Sequence, residues 1–222
     1  VVKNAIDFFK KSISELKNEP KYSVINFCSA IELFLKARLM LEHWSLIIVK
    51  PEQANFDKFI MGDFQSVSMD GAIDRLANIG RIIIHPDEIK CFNQIREHRN
   101  KLVHFFHAKY AGDPDKTTIQ AIVSEQCKGW YYLHRLLTEN WKKEFINYTS
   151  EISELDELMR KQRHFLAAKY DLLKEKITED RKNGTKYFPC FSCGFESLRQ
   201  RDILPPLLNR ECLVCNAGGE VL

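Results

Sequence analysis

Glu88 to His107, EIKCFNQIREHRNKLVHFFH, reads as one amphipathic helix that interrupts its own apolar pattern with arginines and histidines. Cys91, Ile95, His98, Leu102 and Phe105 recur at steps of four and three residues, and Phe92, Arg96, Arg99, Val103 and Phe106 form a second line beside them. A helix that served packing alone would keep both lines apolar. Here Arg96, His98 and Arg99 break them in mid-helix, and His104 follows within about two turns of Arg99. Asn100 and His104 are four residues apart and can touch, so the amide can orient the imidazole. Arg99 and His104 differ by roughly 140° around a helix of 100° per residue, so one copy does not aim both at one point. A site shared between two helices is therefore expected.

The rest of the chain supplies a bundle around this helix. Val2, Ile6, Phe9, Ile13 and Leu16 give a first amphipathic helix ending near Glu19-Pro20, because proline disfavours helix in the residue before it. Tyr22 to about Val49 reads as a longer helix whose apolar face is wide enough to require several neighbours. Glu32 and Lys36 form an acid-base pair at helical spacing within it, either as an ordinary surface pair or as a brace for an arginine of the organising helix. Lys50 to Asp70 is irregular, a lid or a connection, after which Asp70 is expected to cap a short helix through Ile79. His85-Pro86-Asp87 opens the organising helix, and Gly112-Asp113-Pro114 closes the loop after it. A further helix capped by Thr117 runs to about Tyr148. Four main helices make an all-α, up-and-down bundle over residues 1–149.

Residues 150–183 have a different texture. Eight acids balance eight bases between Ser150 and Lys182, and Ile152, Leu155, Met159, Gln162, Leu166, Leu173 and Ile177 are spaced like a coiled-coil seam. This is the pattern of a charged stalk or helical hairpin arm, ended by Asn183-Gly184. Residues 184–222 carry Cys190-x2-Cys193 and, after eighteen further residues, Cys212-x2-Cys215. Four thiolates at this spacing suit a closed tetrahedral zinc site, and a segment with few large apolar residues needs such a metal to fold. Gly194 and Asn216 follow the second cysteine of each pair, where residues tolerating positive φ suit a tight knuckle. A redox disulfide is the rival for either pair alone but leaves the other pair unexplained. With all four positions filled, the zinc is structural and no catalytic metal is expected. Leu204-Pro205-Pro206-Leu207-Leu208 between the knuckles offers an apolar partner patch or a cover for the metal.

Composition narrows the setting. A chain of 222 residues, 45% of them hydrophobic, can bury a substantial core. Net charge is only +3, yet Glu88 to Lys109 holds five Lys or Arg against two acids, which fits either attraction of a polyanion or an ordinary solvated face. Ile31 to Val49 is the most apolar stretch, but Glu32, Lys36, Arg38, Glu42 and His43 exclude a comfortable membrane span. The opening segment lacks the order of a secretory signal, and a start at Val1 agrees with a trimmed beginning. Three cysteines, Cys28, Cys91 and Cys127, fall on separate helices and read as buried free thiols. A reducing cytoplasm and a soluble chain follow from this pattern.

Arg99-Asn100-Lys101-Leu102-Val103-His104 resembles the Arg-x4-His signature of the HEPN superfamily of helical-bundle ribonucleases and RNA-binding proteins. Glu32, in SAIELFLK, is similar to the acidic residue of that superfamily's earlier helix, with Lys36 one turn on. The likeness covers about Val1 to Tyr148. It implies a metal-independent endoribonuclease of toxin-antitoxin or anti-phage defence type, a homodimer whose interface joins arginine and histidine from two chains, and RNA as substrate. Ribose 2′-hydroxyl attack on the adjacent phosphate gathers charge that Arg99 would stabilise, while His104 would exchange protons, Asn100 would orient the ring or the phosphate, and Glu32 would orient Arg99. Arg96, His98, Lys101 and Lys36 would hold substrate. Phe106 stands where tyrosine-modified members carry a tyrosine, so the resemblance does not extend to that form of silencing. An inhibitory or activating protein partner is expected on the stalk and ribbon. The rival is a non-catalytic RNA-binding or complex-assembly subunit, or simply a helix that Arg99 and His104 decorate.

Overall fold

The computed structural model describes the backbone of residues 1–104, 116–202 and 208–221, with side chains at all of these except 104, 116–120, 201, 202, 208, 209 and 219–221. Phe105 to His107, Lys109, Gly112-Asp113-Pro114, the Thr117 side chain and Leu204 to Leu207 lie outside what is described. Eight α-helices are present among these residues: α1 (Val2–Glu15), α2 (Pro20–Met40), α3 (Phe56–Met61), α4 (Met69–Asn78), α5 (Pro86–His104), α6 (Lys116–Arg135), α7 (Thr149–Arg160) and α8 (Arg163–Lys182). Four short strands follow them. The chain divides into two compact units, Val1–Glu157 and Leu158–Leu222.

The first unit is a helical bundle organised on α2. Val24, Phe27, Cys28, Ile31, Phe34, Leu35 and Leu39 are all buried, and helices α1, α4, α5 and α6 pack around them, as the width of that apolar face demands. Phe9 of α1 stacks on Trp130 of α6 with centroids 4.4 Å apart and meets Phe27 at 5.1 Å. The helices approach closely because α6 carries Gly129. A Cβ there would stand 2.5 Å from Ile95 Cδ1 and 3.0 Å from Phe27 Cε1, so any larger residue makes Ile95 shift or moves α6 away from α5 and α2. Inside the apolar core, Gln126 Nε2 donates to Ser12 Oγ at 2.6 Å and to Ser23 Oγ at 2.8 Å, a buried polar knot tying α6 to α1 and α2.

Four local expectations change. Helix α2 ends at Met40 rather than near Val49, and the apolar run continues through a 3-10 turn, Trp44–Ile47, begun by His43, whose ring accepts from Ser45 N. Ile47, Ile48 and Val49 then run alongside Gln65 to Val67, and the Arg75 guanidinium donates to the carbonyls of Leu46, Ile48 and Val49. One distant side chain thus satisfies the carbonyls a longer helix would have satisfied internally. Ser68, not Asp70, caps α4, its Oγ accepting from Gly71 N at 3.2 Å. Helix α6 stops at Arg135 and widens into a π turn, Leu136–Asn140, closed by Trp141 N donating to Leu136 O at 2.7 Å, so Trp141 and Phe145 enter the core from outside a regular helix. The charged stretch from Ser150 to Lys182 is two helices, α7 and α8, parted at Lys161-Gln162, and the boundary between the units falls inside α7.

The second unit joins α8 to an antiparallel sheet of β1 (Tyr187–Pro189), β2 (Glu196–Asp202), β3 (Leu208–Cys212) and β4 (Gly218–Val221), in that order. Helix α8 buries Phe165, Leu166, Ala168, Leu173 and Ile177. Tyr170 stacks on Phe195 at 4.8 Å, Arg181 pairs with Glu196 at 2.7 Å, and Tyr187 donates to Asp180 at 2.7 Å. Burial and that hydrogen bond to a carboxylate hold the Tyr187 phenol up at about 12. The apolar seam legible in the sequence is divided between the units: Ile152 and Leu155 lie on α7 in the first, and Leu166, Leu173 and Ile177 are buried on α8 in the second.

Candidate active site and metal centre

Helices α2 and α5 bring Glu32, Lys36, Arg99 and Asn100 together. Arg99 donates to Asn100 Oδ1 at 3.0 Å, and its second terminal nitrogen lies 3.7 Å from Glu32 Oε2, an ion pair just beyond hydrogen-bond length. Glu32 Oε1 accepts from Lys36 Nζ at 2.6 Å, and the same ammonium donates to Ser66 Oγ at 2.8 Å. The Lys36 side chain is only 7% exposed while Arg99 keeps 28%, so Lys36 balances Glu32 from below and Arg99 presents its edge to solvent. Cys28 lies under the cluster. Burial pushes its thiol up, and the neighbouring Arg99 charge offsets part of that rise.

The remaining basic residues of α5 point to other partners. Arg96, one turn before Arg99, pairs with Asp70 of α4 at 2.8 Å. His98 faces α6, where its Nε2 lies 2.7 Å from Glu125 Oε2. Lys101 is exposed, and His104 is the last residue of α5, its side chain outside the described set. Sequence reasoning did not find Ser66 or Glu125, and it assigned Asp70 to a cap. These partners are 30, 27 and 26 residues from Lys36, His98 and Arg96, and helical periodicity carries no signal across such gaps. Cys91 and Cys127 are buried free thiols, each pushed up to about 12 by desolvation, with Glu125 adding to the rise at Cys91.

The Cys190, Cys193, Cys212 and Cys215 sulfurs lie within 4.8 Å of one another, a cluster that can hold a metal ion. Cys190 Sγ is 3.6 Å from Cys215 Sγ and Cys193 Sγ is 3.7 Å from Cys212 Sγ. A tetrahedron of thiolates about 2.3 Å from zinc has edges of about 3.8 Å, so the donor set fits such an ion. Two loops of the same form supply it. Cys190 N donates to Phe195 O and Gly194 N to Cys190 O; Cys212 N donates to Ala217 O and Asn216 N to Cys212 O. Gly194 at φ 77° and Asn216 at φ 60° make the left-handed residue each loop requires.

Backbone donors face the sulfurs as well. Ser192 N approaches Cys190 Sγ and Cys215 N approaches Cys212 Sγ, both at 3.4 Å, and the Ser197 hydroxyl lies 3.1 Å from Cys212 Sγ. Burial alone would raise the Cys212 thiol, but these donors outweigh it and bring it down to about 7, whereas burial keeps Cys193 and Cys215 up. Arg160 donates to Cys215 O at 3.4 Å, and Arg163 donates to Cys193 O while covering the Phe195 ring at 4.2 Å. Neither arginine was singled out by the sequence. Compared with family models, with curated proteins and with solved structures, the chain matches none. No helix of the described residues is long and apolar enough to cross a membrane.

Proposed function

We propose that residues 1–149 form a HEPN-like, up-and-down bundle acting as a metal-independent endoribonuclease in a cytoplasmic toxin-antitoxin or anti-phage role. The observation that carries this reading is the Glu32–Arg99–Asn100 cluster between α2 and α5, in which a carboxylate and an amide hold one forked guanidinium at the surface. A cation fixed before substrate arrives stabilises developing phosphate charge without reorganising. Arg99 meets the non-bridging oxygens, and His104 exchanges protons with the 2′-hydroxyl and the leaving oxygen. Asn100 and Glu32 position Arg99, Lys101 extends the basic surface along the RNA, and Lys36 supports Glu32; Arg96 and His98 would reach substrate only by exchanging Asp70 and Glu125 for phosphate. Two chains pair through this face, because Arg99 and His104 diverge by roughly 140° on one helix. The ribbon holds structural zinc and docks a regulating partner.

The deciding experiment incubates RNA with the full chain in excess chelator and sequences the product ends. Cleavage with 2′,3′-cyclic phosphate ends is expected, abolished by His104→Ala. A requirement for added magnesium, or an equally active His104→Ala chain, overturns the reading. Mixing Arg99→Ala with His104→Ala chains recovers part of the activity if the site is composite. A second reading, an RNA-binding or assembly subunit without turnover, rests on the exposure that Arg99 and Lys101 keep on α5. It gives binding that weakens steeply with salt and no product.

A further inference from the structure

The segment between α2 and α4 builds a cleft that neither the organising helix nor the metal centre uses. It is an open pocket of about 310 Å³ whose walls include Lys50, Asn55, Lys58, Phe64 and Gln65. That volume sits at the small end of ligand sites, about 300 to 1,000 Å³. Phe64 forms an aromatic wall. Its ring lies 5.3 Å from Phe59, which lies 5.1 Å from Trp44, which in turn meets Phe56 at 5.2 Å, so the wall is backed by three further rings. Asn55 uses its carbonyl oxygen to cap α3, accepting from Lys58 N at 3.0 Å, and keeps its amide nitrogen as a donor. Gln65 adds a second amide. Lys50 and Lys58 bring two positive charges against one from Asp63, which stands 4.0 Å from Lys58, both exposed.

The backbone that lines the cleft is held in place, and its neighbour Ser66 is tied to Lys36. Val49 N donates to Gln65 O and Val67 N to Ile47 O, and Arg75 clamps the same strand-like pair. Ser66, adjacent to Gln65, accepts from the Lys36 ammonium that also pairs with Glu32. A flat aromatic surface, two amides that donate and accept, and an excess of one cation match a nucleobase with its phosphate. We propose that this cleft is a subsite for one nucleotide of a single-stranded RNA. The proposal rests on the RNA reading above.

Binding of fluorescein-labelled RNA hexamers to the full chain, followed by anisotropy at fixed salt, tests it without any need for cleavage. Phe64→Ala should weaken binding about ten-fold, with Phe64→Trp restoring it, since stacking and not mere packing is at issue. Lys58→Glu, at an exposed residue, should weaken binding by a similar factor and lower the salt slope by about one. Free mononucleotides should compete poorly. Parental affinity in both Phe64→Ala and Lys58→Glu, while Arg99→Ala binds more weakly, overturns the subsite and leaves the RNA reading standing. Failure of the parent chain to bind any hexamer overturns both. Mononucleotides that compete as well as the hexamer show a free-nucleotide site and overturn the assignment to a strand.

Discussion

The two units solve the same problem, holding polar groups in fixed positions, with opposite means. In Val1–Glu157 a large apolar core comes first and the polar cluster is set into it: Glu32 and Arg99 are placed by helices whose buried faces include Phe27, Phe34, Phe92 and Ile95. In Leu158–Leu222 the polar cluster comes first, and four sulfurs gather the loops that α8 then covers. The bundle can lose a polar contact and stay folded. The ribbon is expected to tolerate loss of a cysteine less well, because its four sulfurs gather two loops that small apolar contacts alone would have to order.

Stripping the metal is the strongest way to break that comparison. Structural zinc contributes about 10 to 16 kcal/mol to small peptide sites near neutral pH, so chelation or Cys212→Ser should unfold residues 158–222 while the bundle keeps its helicity, as NMR or limited proteolysis would show. Falling pH acts in the same direction, since protons compete for the thiolates, and metal release on acidification should precede loss of bundle structure. A clean loss of both units together would mean that the bundle also depends on the ion. Next in size, Arg99→Ala should lower turnover by about a hundred-fold or more with the melting temperature little changed, because a positioned oxyanion donor contributes about 2.7 to 4 kcal/mol.

Gly129→Ala tests the other half. The added methyl meets Ile95 and Phe27, and a cost of about 1 to 3 kcal/mol in bundle stability is expected from denaturant unfolding, with metal content unchanged. Truncation sharpens the division further. A chain ending at Glu157 should fold, whereas one ending at Lys182 should aggregate more readily, since it bares Phe165, Leu173 and Ile177 of α8. The smallest effect belongs to the surface. Lys10 and Glu154 meet at 2.8 Å with 39% and 56% of their side chains exposed, and Lys10→Ala should cost no more than about 0.5 kcal/mol.

How much of this could be read from the sequence follows the distance over which each contact is specified. The four-cysteine cluster was legible because each pair lies within one loop and the positive-φ residue stands next to it. Helices α1 and α5 were legible from apolar period and from Pro86 at the start. The end of α2 was not, because the run of apolar residues continues past Met40 and the group that ends the helix's need for its own hydrogen bonds, Arg75, is on another helix. The contacts of α8 with the ribbon were hidden for a different reason: Tyr170, Asp180 and Arg181, which make them, are not seam residues. At the candidate active site the sequence offered Glu32, Lys36 and Arg99, and only the fold supplies Ser66 beneath them.

The arginines at the knuckles have an electrostatic consequence. A divalent ion bound by four thiolates leaves a net charge of minus two on its site, buried in a small sheet that offers little solvent to screen it. Arg160 and Arg163 donate to the carbonyls of Cys215 and Cys193, the last ligand of each pair, and so bring two positive charges to the two loops that carry the excess. Charge closure at the centre is thereby supplied by α7 and α8, from residues that precede the first cysteine. A ribbon cut free of those helices would carry its negative charge uncompensated.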